Sequence, residues 1–288
     1  MVEKVAVVTG SNKGLGFAIV KGLCQRFDGI VYLTARDKTR GLEAVKKLNE
    51  IGLRPEFHIL EVTDRESISE FADFIKKRHG GFDVLVNNAA MLEWDAVYPS
   101  YDVAKRTIDV NYRSLLTIEE LLYPLLRDGA RVVNVSSNCG HLSNLRNQKW
   151  IETLKSVDLT TDKLNGFVDD YLQSVRNGTF RKEDFADEGK HAEHRVAKIG
   201  VTALTFIQQR KYYKRNISIN AVYPGHIKTD MAQGGGQIDA DEAAKVVLYL
   251  ILEASPNLKG TFMWHDRKLV DWLDAEDKDG VHYCKGLW

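Results

Sequence analysis

The fold class this chain predicts is α/β: a doubly wound sheet of parallel strands with helices on both faces. Three observations carry the prediction. Short β-branched runs alternate with longer segments of helical apolar spacing over the first two-thirds of the sequence. The strand runs are almost continuously apolar, as in Val5-Ala6-Val7-Val8, which suits a sheet with neither face open to water. The first strand also leads into a helix through a glycine-rich turn, Thr9-Gly10-Ser11-Asn12-Lys13-Gly14-Leu15-Gly16.

In chain order, strands are predicted at Val5 to Thr9, Ile30 to Thr34, Glu56 to Leu60, Val84 to Asn87, Val132 to Ser136 and Ile217 to Val222. Helices are predicted at Leu15 to Arg26, Arg40 to Ile51, Ser67 to Lys77, Val103 to Leu126 and Ala192 to Lys214. One stretch, from about His141 to Lys190, breaks the rhythm. It is polar and helical in pattern, as in Trp150 to Val157 and Leu164 to Val175, and reads as a helical insertion before the long helix that carries His194 and Lys198. Its run Arg181-Lys182-Glu183-Asp184 reads as solvated surface. With no repeat, low-complexity tract or linker, residues 1–288 read as one dinucleotide-binding domain, whose ligand crevice lies at the carboxyl ends of the strands.

Forty basic and forty acidic residues cancel, so nothing in the bulk charge calls for nucleic acid or an anionic membrane. A small, neutral or modestly charged ligand is the natural partner. Three cysteines, Cys24, Cys139 and Cys284, lack metal-ligand spacing and point to a reducing, cytoplasmic setting. No run of about 18 apolar residues offers a membrane span, and the first strand begins too early for a signal region.

Glycines at the first strand-to-helix turn let the backbone approach a pyrophosphate, whose charge the helix N-terminus meets. The turn's cofactor-binding candidates are Gly10, Asn12, Lys13, Gly14, Leu15 and Gly16. The second strand ends in Leu33-Thr34-Ala35-Arg36, with a guanidinium where an acid would grip a ribose 2'-hydroxyl. Arg36, with Lys13 and Arg40 nearby, suits a 2'-phosphate and predicts NADP(H) over NAD(H), although Asp37 follows at once.

Taken with Asp83-Val84-Leu85-Val86-Asn87-Asn88-Ala89-Ala90, Val133-Asn134-Val135-Ser136-Ser137, Lys198-Ile199-Gly200-Val201 and Pro224-Gly225-His226-Ile227-Lys228-Thr229-Asp230-Met231, the chain resembles the short-chain dehydrogenase/reductase family, and within it the monomeric carbonyl reductases. The resemblance covers nearly the whole chain. It implies hydride transfer between NADPH and a small carbonyl compound, with Asn111, Ser137 and Lys198 at the catalytic positions of Asn, Ser and Lys. It also implies cofactor contacts at Glu61, Val62, Asn88, Ala89, Val110, Lys198, Pro224, Gly225, Ile227 and Thr229, and a monomer, with the insertion covering the surface through which relatives tetramerise. Three departures from the family pattern are minor: Ala90 for Gly, Glu61 for Asp, and His226 at a position that often carries a bulky pocket residue.

The fourth departure bears on the chemistry. His194 stands where the family has its catalytic tyrosine, four residues before Lys198. In the family the tyrosine protonates the carbonyl oxygen, the lysine lowers its pKa and holds the ribose, and the serine hydrogen-bonds the oxygen. Histidine can act as an acid, but a nearby Lys198 cation and a nicotinamide that becomes positive both disfavour imidazolium. Three readings stay open: a reductase, slow or not, whose proton comes from His194 or a relayed water; an NADPH-binding protein that has lost catalysis and serves as a sensor or interaction module; and a reductase in which another tyrosine, Tyr223 being nearest, swings in. His191 lies one turn before His194, but without a third ligand no metal is expected. Cys139 reads as a bystander thiol, and Tyr212, Tyr213 and the tail to Trp288 as packing. Met91, Trp94, Leu142, His226 and Trp264 are the pocket candidates, suggesting an apolar aromatic-lined cleft for quinones, aromatic ketones or aldehydes.

Overall fold

The computed structural model describes residues 3–93, 98, 100–233 and 235–274. Trp94, Cys284 and Trp288 lie outside the described residues. Strands β1 (Val5–Val8), β2 (Ile30–Ala35), β3 (Glu56–Ile59), β4 (Phe82–Asn87), β5 (Leu126–Val135), β6 (Ser218–Val222) and β7 (Phe262–Met263) form one sheet in the order β3-β2-β1-β4-β5-β6-β7. Every neighbouring pair is parallel. The order reverses direction at β1, which opens the ligand crevice beyond its carboxyl end.

Alternation along β1 shows why its run is wholly apolar. Val5 and Val7 enter one core, with α3 (Arg65–His79), α5 (Ser114–Leu122), α7 (Thr161–Arg176) and α8 (Ala192–Tyr212). Ala6 and Val8 enter the other, with α1 (Gly14–Arg26), α2 (Lys38–Glu50) and α9 (Ala240–Leu252). Buried on both faces, the strand has no position for a solvated side chain.

Three features differ from the sequence expectation. The helix expected from Val103 to Leu126 is α4 (Tyr101–Ile108), a π-turn over Asp109–Arg113 and then α5, and Leu126 already opens β5. The π-turn adds a residue without leaving the helix axis, so the apolar rhythm runs on through the break. The early start of β5 is held by Arg127, which donates to Asp83 Oδ2 at 2.6 Å and to the His79 carbonyl at 2.7 Å. Helix α9 and the two-residue β7 also escaped prediction, the helix because it is apolar nearly all round and the strand because it is too short to show a period. Between β5 and α8 lie α6 (Gln148–Lys155), α7 and short 3₁₀ turns.

A polar network inside the first core locks α8 to the sheet. Asn87 donates to Asn134 Oδ1 at 2.7 Å, and Asn134 Nδ2 donates to Thr205 Oγ1 at 2.9 Å and Gln208 Oε1 at 3.1 Å. Gln208 in turn donates to Glu119 Oε2 at 2.9 Å. Because Asn134 is wholly buried, its loss strands three partners without water. Asn134→Ala is expected to cost about 2 to 4 kcal/mol, read as a fall in melting temperature of about 5 to 10 °C in calorimetry.

Candidate active site

The glycine turn wraps a cleft of about 770 Å³ at the carboxyl ends of the strands. Gly14 has φ +57°, and a Cβ there would stand 3.3 Å from Thr229 Cγ2. A Cβ on Gly16 would stand 2.5 Å from Asn88 Nδ2 and 2.7 Å from Ser11 Cα. Asn88 Nδ2 itself donates to the Thr9 and Gly10 carbonyls at 2.9 and 3.1 Å, fastening the end of β4 to the turn. Helix α1 begins with no side-chain cap and no acid in its first turn, leaving its first N–H groups and positive dipole end to an anion. This cradle fits a dinucleotide pyrophosphate.

Arg36 and Arg40 line the same cleft. Asp37, whose carboxylate stood against a 2'-phosphate, instead caps α2 by accepting from Arg40 N at 2.8 Å. Arg36 lies 3.9 Å from Glu61 and is largely exposed, while Lys13 pairs with Asp230 at 2.7 Å across the mouth of the cleft. Glu61, Val62, Ala89, Val110, Pro224, Gly225, Ile227 and Thr229 also line it.

At the inner end the cleft meets Ser137, His194 and Lys198. Ser137 follows β5; its hydroxyl donates to Asn138 Oδ1 at 2.9 Å and accepts from Cys139 N at 3.2 Å. His194 and Lys198 share one buried face of α8, and Lys198 Nζ donates to the Val135 carbonyl at 2.8 Å. Burial pushes the Lys198 ammonium down to about 8, so it carries charge at neutral pH but loses it far below the usual lysine range. Burial first, and then the charges of Lys198, His191 and Arg195, hold His194 well below the ordinary histidine value. Its imidazole is therefore neutral at pH 7. Such a set can hydrogen-bond a carbonyl oxygen through Ser137 and His194 and stabilise developing negative charge through Lys198.

Asn111 does not line the cleft. It sits in the π-turn, buried, and clamps the loop after β4: its Oδ1 accepts from Met91 N and its Nδ2 donates to Met91 O, both at 2.8 Å. Of the pocket candidates, Met91 and His226 face the cleft. Leu142 is fully buried in the core and Trp264 packs behind Tyr223, ring centroids 4.4 Å apart, so neither lines it. Tyr223, Cys139 and Met231 do line it. Met231, the last residue of the recognised motif, was not among the pocket candidates because an irregular loop gives no period from which to read its facing. Among the described residues no group of three metal-ligating side chains exists, and no helix is long and apolar enough to cross a membrane.

The fold and the cleft together define a nucleotide-dependent oxidoreductase. Residues 4–149 match the model of the short chain dehydrogenases. The chain is 39% identical over 277 residues to carbonyl reductase [NADPH] 1 of Sus scrofa, covering 93% of this chain and 94% of that protein. It is 38% identical over 263 residues to carbonyl reductase [NADPH] 3 of Mus musculus, covering 87% and 91%. The structure of salutaridine reductase from Papaver somniferum superposes with a TM-score of 0.81 at 31% identity, covering 91% of this chain and 99% of that one. The chain belongs to the short-chain dehydrogenase/reductase family.

The exposed Arg36 guanidinium at the cleft gives a direct test of cofactor preference. Arg36→Ala is expected to weaken NADPH binding about tenfold, the loss of one charge-assisted contact at a wet site. Binding of NADH should be unchanged, with both affinities read from quenching of protein fluorescence.

Proposed function

We propose that this protein is an NADPH-dependent carbonyl reductase acting on small apolar carbonyl compounds: quinones, aromatic ketones or aldehydes. The observation that carries the reading is the convergence of the glycine cradle, Arg36, Ser137 and Lys198 on one cleft. Relatives named for NADPH-dependent carbonyl reduction, at 35–39% identity, support it. Apolar neighbours such as Met91, Leu92 and Met231 suit an uncharged substrate.

When bound, NADPH supplies the hydride. Gly10 to Gly16 and the N-terminus of α1 hold its pyrophosphate, Arg36 and Arg40 its 2'-phosphate, and Lys198 its ribose. Ser137 and the His194 N–H hold the substrate oxygen, and the Lys198 charge favours electron density moving onto it. Asn111 acts at one remove, by fixing the Met91 wall. The protein works as a monomer, which size-exclusion chromatography with light scattering would check.

A neutral imidazole is a weaker acid than the tyrosine it replaces when that tyrosine is tuned by a neighbouring lysine. Positioned general acids contribute about 10²- to 10⁴-fold, so His194 sets the ceiling on turnover. His194→Tyr is expected to raise ketone reduction at neutral pH by about tenfold or more. The assay is NADPH oxidation against a panel of quinones and aromatic ketones. No gain despite intact NADPH binding would mean the acid is not limiting; silence in wild type beside activity in the tyrosine variant would mean a cofactor-binding fold that has lost catalysis.

The pH profile follows from the two shifts. Lys198 is charged below about 8 and neutral above it, so turnover should fall as pH rises through that value. His194, held well below 6.5, should give no gain between pH 7 and about 6. A steep rise over that interval would show His194 titrating as an ordinary histidine.

A further inference from the structure

A second cavity, of about 520 Å³, opens where the end of the helical insertion meets the last strand. It shares no lining residue with the cleft. Its walls come from four stretches far apart in the chain: the end of α6 from Leu154 to Val157, α8 at Phe206 and Arg210, β7 at Phe262, and residues 269–273. Phe206 and Trp272 meet there with ring centroids 5.5 Å apart. Trp272 is buried and pinned in place, its Nε1 donating to the Gly140 carbonyl at 2.7 Å.

Three of the residues that line this cavity are large, apolar and open to water: Val157 is 95% exposed, Leu269 56% and Leu273 45%. A single exposed apolar side chain means little, but three around one concavity mark a surface that gains by being covered. Two cations complete the lining. Lys155 and Arg210 are both exposed, and among the described residues neither is in an ion pair. Arg210 Nη2 donates to the carbonyl of Leu159, itself a lining residue, which holds the guanidinium at the wall. The acid in the lining, Asp271, is occupied within its own turn, accepting from Leu273 N at 3.0 Å. The cavity is thus apolar and aromatic inside and carries an unmatched positive charge.

We propose that this cavity is a second ligand site, which takes a small aromatic carboxylate: its ring lies against Phe206, Phe262 and Trp272, and its carboxylate pairs with Arg210, with Lys155 beside it. The volume falls in the range of about 300 to 1,000 Å³ usual for small-molecule sites. Aromatic walls favour a ring through edge and offset contacts. A guanidinium fixed at the wall offers paired N–H groups that match a carboxylate, and a lysine adds a point charge. An amine of the same shape would meet two like charges, and an uncharged one would leave both cations unmatched. Because the cavity and the cleft have no residue in common, acid and nucleotide bind together, and the assignment stands apart from the reductase reading.

The test is isothermal titration calorimetry of the full chain with 3-phenylpropionate, with and without saturating NADPH, beside its uncharged counterpart 3-phenylpropanol. The expected dissociation constant for the acid is about 0.1 to 1 mM, within reach of a ligand of about eleven non-hydrogen atoms. It should be the same with NADPH bound, and the alcohol should bind about tenfold more weakly or worse. Arg210→Gln is expected to weaken the acid about tenfold. Should that variant fail to fold for want of the Leu159 contact, Leu273→Glu on the exposed rim asks the same question by placing a negative charge at the mouth. No heat of binding up to about 10 mM acid would overturn the proposal, as would equal affinity for acid and alcohol, or wild-type affinity in both variants. Displacement of the acid by NADPH would place it in the cleft instead. A dimer in light scattering that the acid dissociates would assign the cavity to a second copy of the chain, and either result overturns the second site.

Discussion

The hydrogen bond from Lys198 Nζ to the Val135 carbonyl ties the start of helix α8 to the carboxyl end of β5. Much of the site depends on it. An ammonium placed in a buried site keeps its charge only if fixed dipoles replace its water. The carbonyl supplies one such dipole, and burial still lowers the ammonium to about 8. Ser137 follows Val135 by two residues, and His194 precedes Lys198 by one turn, so the same contact sets the spacing of three groups that line the inner end of the cleft.

Behind that contact, the helix is held by interactions that have little to do with chemistry. Ser136 and Thr202 hydroxyls lie 2.7 Å apart, and Asn134 joins β4, β5 and α8 through the polar network in the core. Asn134 is buried with both its amide groups hydrogen-bonded, and stripping its partners of those bonds would leave buried polar groups that no water reaches. The rigidity these contacts give α8 allows a stripe of charge-bearing side chains to persist at its start, where His191, Glu193, His194 and Lys198 would otherwise repel, hydrate or turn outward. The outer cleft is built differently: Lys13 with Asp230, and Arg36 with Glu61, are exposed pairs that salt screens and that a nucleotide can displace at small cost.

Much of the architecture was readable because its causes are local. Apolar runs such as Val5 to Val8 report burial on two faces, and the glycine turn reports a close approach of backbone to ligand. Other features were hidden because their causes are distant in the chain. Asp37 looked like an obstacle to a 2'-phosphate until its carboxylate was found capping α2. Asn111 was placed at a catalytic position by resemblance, and its hydrogen bonds to the Met91 backbone twenty residues away could not be read from spacing. Leu142 and Trp264 are apolar residues near the right motifs, but composition cannot tell a residue that lines a cleft from one that backs it.

The sequence by itself determined the alternation of strands and helices, the parallel sheet, the nucleotide turn with its basic neighbours, and the exchange of tyrosine for His194 beside Lys198. Those depend on residue type and on spacings of two to eight, which steric rules translate directly into local geometry. Tertiary structure alone decided that His194 is buried, which is the largest cause of its lowered value, that Lys198 is held by Val135, that Glu193 is sealed beside His191, and that α9 and β7 complete the fold. These are properties of surroundings drawn from across the chain, and a side chain's charge depends on how much water and how many partners those surroundings leave it.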